Sequence, residues 1–260
     1  MKELQNYYNN YDEEMRLKHD NLHQIEYLTT IHFLKKYIPP HSKILDCCAG
    51  TGIYAFELAR EGHTVSAGDI VEKHTEIMRE NPNAFLLNDI YCGDITDMSR
   101  FSENEFDVVL CFGALYHLLT LKTRYNAIKE CLRVLKPNGI FAFSYVTREA
   151  LYFAQLMTAV KSVDVSAKIE EYKKLDCIFS TGISSIFYGM SIDEPDEIIK
   201  KFNLTKITQV AAYPFLYKMY NEINEMSSED FARYMKCHII TCENNEVVRN
   251  TMHGLSIYRK

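Results

Sequence analysis

The stretch that decides the fold is Ile44 to Ala59, ILDCCAGTGIYAFELA. It opens as a short apolar strand, Lys43 to Cys47, that carries an acid at Asp46. It passes through the small residues Ala49-Gly50-Thr51-Gly52 and continues from Ile53 to Glu61 with helical character, with Gly62 placed to end the helix. Glycines between a strand and a helix let the main chain turn sharply and approach a ligand with no Cβ in the way. Gly50-x-Gly52-x-x-Ala55 meets a loose nucleotide-binding pattern, but a tight turn with no ligand satisfies the same spacing.

Working outward, short apolar runs alternate with helix-like segments, the pattern of a mostly parallel sheet with crossover helices. Thr64 to Asp69 reads as a second strand, Glu72 to Glu80 as a helix stopped by Asn81-Pro82, and Ile90 to Gly93 as the end of a third strand. Phe106 to Phe112, FDVVLCF, is too apolar to alternate, as expected of a central strand covered on both faces. Thr123 to Leu135 reads as a helix, Lys136-Pro137-Asn138-Gly139 as a turn and Ile140 to Val146 as a fifth strand. Asp46, Asp69 and Asp94 then fall at the carboxyl ends of successive strands, where open α/β sheets bind ligands. Beyond Val146 the regular alternation lapses. Residues 148–192, with helices expected over Glu149 to Val160 and Ala167 to Leu175, and 213–236 read as helical cap insertions. Pro195 to Val210 rejoins the sheet and Met252 to Tyr258 is its last strand. The expected organisation is an N-terminal helical segment, 1–41, followed by one α/β domain, 42–260.

With 47% hydrophobic and 25% charged residues, the chain has enough apolar side chains for a sizeable core. Its formal charge of −6 and the scattering of its Lys and Arg residues in pairs argue against a nucleic-acid substrate. No secretory leader and no membrane-length apolar run is expected. The eight cysteines show no C-x-x-C spacing, so no metal site is expected and a reduced, cytoplasmic protein is the natural reading.

Taken together, Ile44 to Ala59, Asp69, Gly93-Asp94-Ile95, Phe106 to Leu118 (FDVVLCFGALYHL) and Arg133 to Phe141 (RVLKPNGIF) resemble the ordered motifs of class I S-adenosylmethionine-dependent methyltransferases. The resemblance covers roughly Ser42 to Val146 and departs from the family at Cys48, where glycine is usual. It implies a Rossmann-like, seven-stranded sheet with an antiparallel last strand, S-adenosylmethionine as cofactor and a small-molecule methyl acceptor. By the same resemblance, Asp46 and the backbone of Ala49, Gly50, Thr51 and Gly52 hold the methionyl part and Asp69 the ribose. Ile70 and Ile95 flank the adenine, Asp94 accepts its amine, and Cys111, Phe112 and Gly113 line the cleft. His117 is a candidate base for a hydroxyl acceptor, or else a packing residue of the cofactor wall, while His74 is expected on a helix surface. In the family such an N-terminal segment closes over the cofactor, with Tyr8 and Tyr11 as aromatic walls and Arg16 as a carboxylate partner; simple docking of an amphipathic helix is the alternative. The rival readings are a nicotinamide-dependent oxidoreductase, which the loop and Asp69 also suit, and a binding protein without catalysis on a degenerate scaffold, which Cys48 suggests. Nothing in the sequence sets the oligomeric state or names the acceptor.

Overall fold

Strand β1 (Lys43–Asp46) sits between β2 (Thr64–Asp69) and β4 (Phe106–Cys111), pairing in parallel with both. The computed structural model describes residues 2–161, 178, 181–214 and 219–260. Its seven-stranded sheet has the order β3-β2-β1-β4-β5-β9-β8, with β3 over Asp89–Cys92, β5 over Leu135–Val146, β8 over Thr205–Pro214 and β9 over Thr251–Arg259. The last strand, β9, runs antiparallel to both β5 and β8, as the sequence led us to expect. The chain walks from β1 to β3 in one direction, then returns to place β4 on the other side of β1. The sheet therefore has its switch point between β1 and β4, where a crevice opens beyond the strand ends.

Successive residues of the central strands feed opposite faces. Ile44, Val108 and Ile140 join a core that includes Phe33, Leu34 and Leu58, whereas Leu45, Val109 and Phe141 join one that includes Phe106, Ile128 and Leu132. Helix α3 (Ile53–Arg60) follows the loop, and Gly62 ends it with φ +88°. Helix α4 (Glu72–Glu80) buries His74, Thr75 and Met78, and α5 (Leu121–Val134) starts where the Thr120 hydroxyl accepts the Thr123 N–H.

Three boundaries differ from the sequence expectation. Strand β5 begins at Leu135, which pairs with Phe106; Lys136–Gly139 then bulges out of the ladder, with Asn138 at φ +62°, before Val108 pairs with Ile140. Tyr213 and Pro214 complete β8 instead of opening a helical insertion, and helices follow over Tyr220–Asn224 and Ser228–Thr241. Between β5 and β8 lie α6 (Arg148–Lys161) and a hairpin of β6 (Ile183–Ser184) and β7 (Phe187–Tyr188); the helix expected over Ala167 to Leu175 falls outside the described residues.

The N-terminal segment has two parts. Helix α2 (Asn21–Tyr37), capped by the Asp20 carboxylate on the His23 N–H, buries Ile25, Phe33 and Leu34 completely and packs against β8. Helix α1 (Lys2–Asn9) and the turns after it lie over the crevice instead. No helix among the described residues is long and apolar enough to cross a membrane.

Candidate cofactor and acceptor site

The loop after β1 enters α3 through two glycines with left-handed backbone, Gly50 at φ +55° and Gly52 at φ +87°. They do different work. A Cβ on Gly52 would stand 2.9 Å from the Met78 sulfur, so this glycine lets α3 and α4 pack closely and does not itself line the cavity. Gly50 faces the cavity, where its nearest neighbour across the gap is the Glu13 side chain of the N-terminal segment. Cys48 is not among the residues with left-handed backbone, so its Cβ fits here without strain.

The three acids at the strand ends have three environments. Asp69 accepts the Gly50 N–H at 2.9 Å on one oxygen and the Val71 N–H at 2.8 Å on the other, which also faces His74 Nδ1 at 3.2 Å. A carboxylate has about four acceptor positions, so Asp69 is braced but keeps capacity toward the cavity. Asp94 turns one oxygen on Thr96, accepting its N–H and its hydroxyl at 2.8 Å each. Asp46 is wholly buried with no well-formed hydrogen bond on either oxygen, although the Cys48 N–H lies near enough to oppose the rise in its pKa. Burial, reinforced by the nearby Asp69 carboxylate, pushes its acid up to about 8, so it holds a proton at neutral pH. It lies beneath the loop and not on the cavity wall.

The cover is bonded through side chains. The Tyr8 hydroxyl lies 2.8 Å from His117 Nε2, and His117 Nδ1 lies 3.0 Å from the Ile186 carbonyl. Because a carbonyl only accepts, Nδ1 carries the imidazole proton and Nε2 accepts that of Tyr8. Burial pulls His117 down to about 4, so the ring is neutral near pH 7. Further in, Arg16 Nε reaches Glu13 at 2.8 Å and Nη1 reaches Glu26 at 3.0 Å; the same Glu26 oxygen lies 3.2 Å from His253 Nδ1. Burial opposes the Arg16 charge, but Glu26 and Glu13 more than offset it, and its pKa is raised. Burial likewise opposes the Glu26 charge, yet Arg16 and His253 hold this carboxyl well below its ordinary range.

These groups enclose a cavity of about 300 Å³ at the switch point of the sheet. Of the residues singled out from the sequence, Ala49, Gly50, Thr51, Asp69, Ile70, Asp94 and Ile95 line its strand side. Phe112, Gly113 and His117 line the wall after β4, and Tyr8 and Arg16 line its cover. Cys111 is fully buried behind that wall, and Tyr11 stacks on Tyr7 at the outer surface of the cover, 37% exposed. His74 corrects an expectation: it is only 3% exposed and lies on the cavity, because it shares the buried face of α4 with Met78 four residues on. Glu26, Tyr116 and His253 were not foreseen, since they come from α2, the segment after β4 and β9.

The arrangement suits an adenosyl sulfonium ligand. Gly50 leaves the loop open to close approach, Asp69 offers acceptor capacity, and Ile70 and Ile95 are apolar surfaces on either side of Asp94. Among the described residues no cluster of Lys or Arg lines the strand side of the cavity, as a pyrophosphate would favour.

Comparison with known proteins agrees with this geometry. Residues 45–143 match the family model for a methyltransferase domain. The putative methyltransferase YqeM of Bacillus subtilis (strain 168) is 30% identical over 117 residues, 43% of this chain and 45% of that protein. A ubiquinone biosynthesis O-methyltransferase of Actinobacillus pleuropneumoniae is 30% identical over 113 residues, 41% of this chain and 46% of that protein. The matches thus span less than half the length of these relatives. The fold is that of a solved S-adenosylmethionine-dependent methyltransferase from Methanosarcina mazei, with TM-score 0.56 and 16% identity over 88% of this chain and 96% of that one. Over residues 45–143 the chain thus carries a methyltransferase domain, on a fold shared with solved S-adenosylmethionine-dependent methyltransferases.

Proposed function

We propose that this protein transfers the methyl group of S-adenosylmethionine to a small molecule held beneath its N-terminal segment. The observation that carries the reading is the placement of one enclosed cavity at the switch point of the sheet, with Gly50, Asp69 and Asp94 on its wall. When bound, the cofactor supplies an electrophilic methyl group on a sulfonium, so the protein's task is chiefly to align the acceptor and exclude water.

Each residue then has a defined part. The backbone from Ala49 to Thr51 receives the methionyl end, with protonated Asp46 beneath the loop as a hydrogen-bond donor in reserve. Asp69 accepts the ribose hydroxyls, Ile70 and Ile95 flank the adenine, and the Asp94 oxygen not engaged by Thr96 accepts its amine. The backbone of Phe112 and Gly113 forms the wall beside the reacting centre, with Cys111 buried behind it. Tyr8 and the Glu13–Arg16–Glu26 chain close the cover, and Tyr11 supports it from outside.

A hydroxyl acceptor is the favoured class. Neutral His117 has its Nε2 lone pair directed at the Tyr8 hydroxyl, and an acceptor hydroxyl taking the place of Tyr8 would meet the same lone pair. The similarity to ubiquinone biosynthesis O-methyltransferases points the same way. Cys111-Phe112-Gly113-Ala114 after β4 differs from the Pro-Pro-aromatic signature of enzymes that methylate base amino groups, and the net charge of −6 suits no polyanion. The free thiols suit a reducing compartment, so a cytoplasmic location is part of the proposal.

The test is transfer of labelled methyl from S-adenosylmethionine into a metabolite extract. Label in a low-mass product, lost in Asp69→Ala, supports the proposal; label only in macromolecules, or none, contradicts it.

A further inference from the structure

Four cysteines from three parts of the chain share one core beneath the cofactor loop. Cys47 and Cys48 follow β1, Cys111 closes the neighbouring β4, and Cys131 comes from α5. The sulfurs of Cys47, Cys48 and Cys111 all lie within 4.8 Å of one another, and those of Cys47 and Cys48 are 3.9 Å apart. Cys131 packs in the same core as Cys47 and Cys111. All four are free thiols.

Ordinary packing explains one buried cysteine, which behaves as a small hydrophobe. Three such sulfurs in mutual contact, drawn from two neighbouring strand ends, also make a ligand set already assembled, in which the Cys47 thiol donates to the Leu110 carbonyl at 3.0 Å until an ion displaces its proton. Thiolates bound to one zinc-like ion at about 2.3 Å stand roughly 3.8 to 4.0 Å apart, so the Cys47–Cys48 pair already has the separation of two ligands on a common ion. The donor set is sulfur alone, which selects soft ions over magnesium or calcium. Cys48 is decisive: at the position where the family usually has glycine, it brings the third sulfur to a cluster that would otherwise be a pair. No C-x-x-C spacing announced the site, because adjacent strands and not adjacent turns bring its members together.

We propose that Cys47, Cys48 and Cys111 form a thiolate site for a soft divalent ion of the zinc class, and that ligation anchors the loop from Cys48 to Gly52. Binding to the three thiols releases three protons, and the divalent ion becomes a complex of charge −1. The metal site stands on the sulfur geometry alone; the anchoring half rests on the cavity being the cofactor site proposed above.

The test uses the reduced full-length chain, stripped with a chelator and titrated with cadmium while the sulfur-to-metal charge-transfer absorbance is followed; zinc affinity is then read by competition. One equivalent should saturate the signal. Cys48→Ser, at a half-buried loop position that tolerates a small polar side chain, should weaken binding about 10- to 100-fold with unchanged circular dichroism. Cys92→Ser and Cys237→Ser, both at exposed positions, should leave it intact. No charge-transfer band at one equivalent overturns the site, as does a band that survives Cys48→Ser and disappears on replacing the exposed cysteines. For the anchor, S-adenosylhomocysteine affinity should differ at least about threefold between zinc-loaded and stripped protein, and the difference should vanish in Cys48→Ser; equal affinities overturn the anchoring. If S-adenosylhomocysteine binds in neither state, it is the cofactor reading that fails, and the cadmium band still decides the metal site.

Discussion

Two walls face each other across the cavity and are held by different bonds. On the strand side, Asp69 is fixed by the main-chain N–H groups of Gly50 and Val71, within a parallel ladder whose central residues are fully buried. On the N-terminal side, the stretch from Tyr7 to Arg16 is held mainly by side chains: Tyr8 on His117, and Arg16 between Glu13 and Glu26. Tyr7, Tyr11 and Met15 remain 37% to 48% exposed. Main-chain pairing inside a sheet opens only when the fold opens, whereas a few side-chain bonds can release as a local unit. The first wall is thus suited to hold a ligand in fixed geometry and the second to admit and cover it.

The largest expected effect is at Arg16. Replacing it by Met leaves Glu26 with His253 alone, and breaking a buried pair on one side costs about 3 kcal/mol. If the two walls are separate units, that cost appears as opening of the cover. Hydrogen exchange should quicken across 7–16 while the amides of β1 and β4 keep their protection. Equal loss of protection in both would merge the walls into one cooperative unit.

At Asp69 the effect belongs to the ligand. Asp69→Ala should weaken S-adenosylhomocysteine binding by about 1 to 3 kcal/mol, the range for leaving buried polar groups without an acceptor. Unchanged affinity in a folded variant would remove Asp69 from the site.

Tyr8→Phe removes one hydrogen bond of the cover and should cost about 0.5 to 1.5 kcal/mol, read as faster proteolysis at the N-terminus. The pH dependence has a definite sign. His117 titrates near 4 when folded, against an ordinary value of 6.5, so its contribution is complete above 6.5 and is lost as pH falls toward 4. Once protonated, Nε2 can no longer accept from Tyr8. Cleavage of the N-terminal segment should therefore accelerate over that window in the native chain, and less in His117→Gln; a flat profile would show that the Tyr8 contact does not hold the cover.

The same contrast explains what the sequence reveals. The strand wall is legible because its signals are local: a glycine loop between strand and helix, and acids at successive strand ends. The cover is legible only in part. Arg16 stands out beside its tyrosines, but its partners Glu26 and His253 lie on α2 and β9, and no local pattern joins positions so far apart in the chain. His74 had a usable signal in the spacing to Met78, which marks a buried helix face, yet a polar residue in a charged helix reads as surface. The start of β5 was hidden because Lys136-Pro137-Asn138-Gly139 has turn composition whether it separates two elements or bulges from one ladder.

The most direct test of the central claim is a calorimetric titration of the full-length chain with S-adenosylhomocysteine and, separately, with NAD. The account predicts saturable binding of S-adenosylhomocysteine at one site per chain and no comparable heat from NAD. Saturable NAD binding with no response to S-adenosylhomocysteine would contradict it.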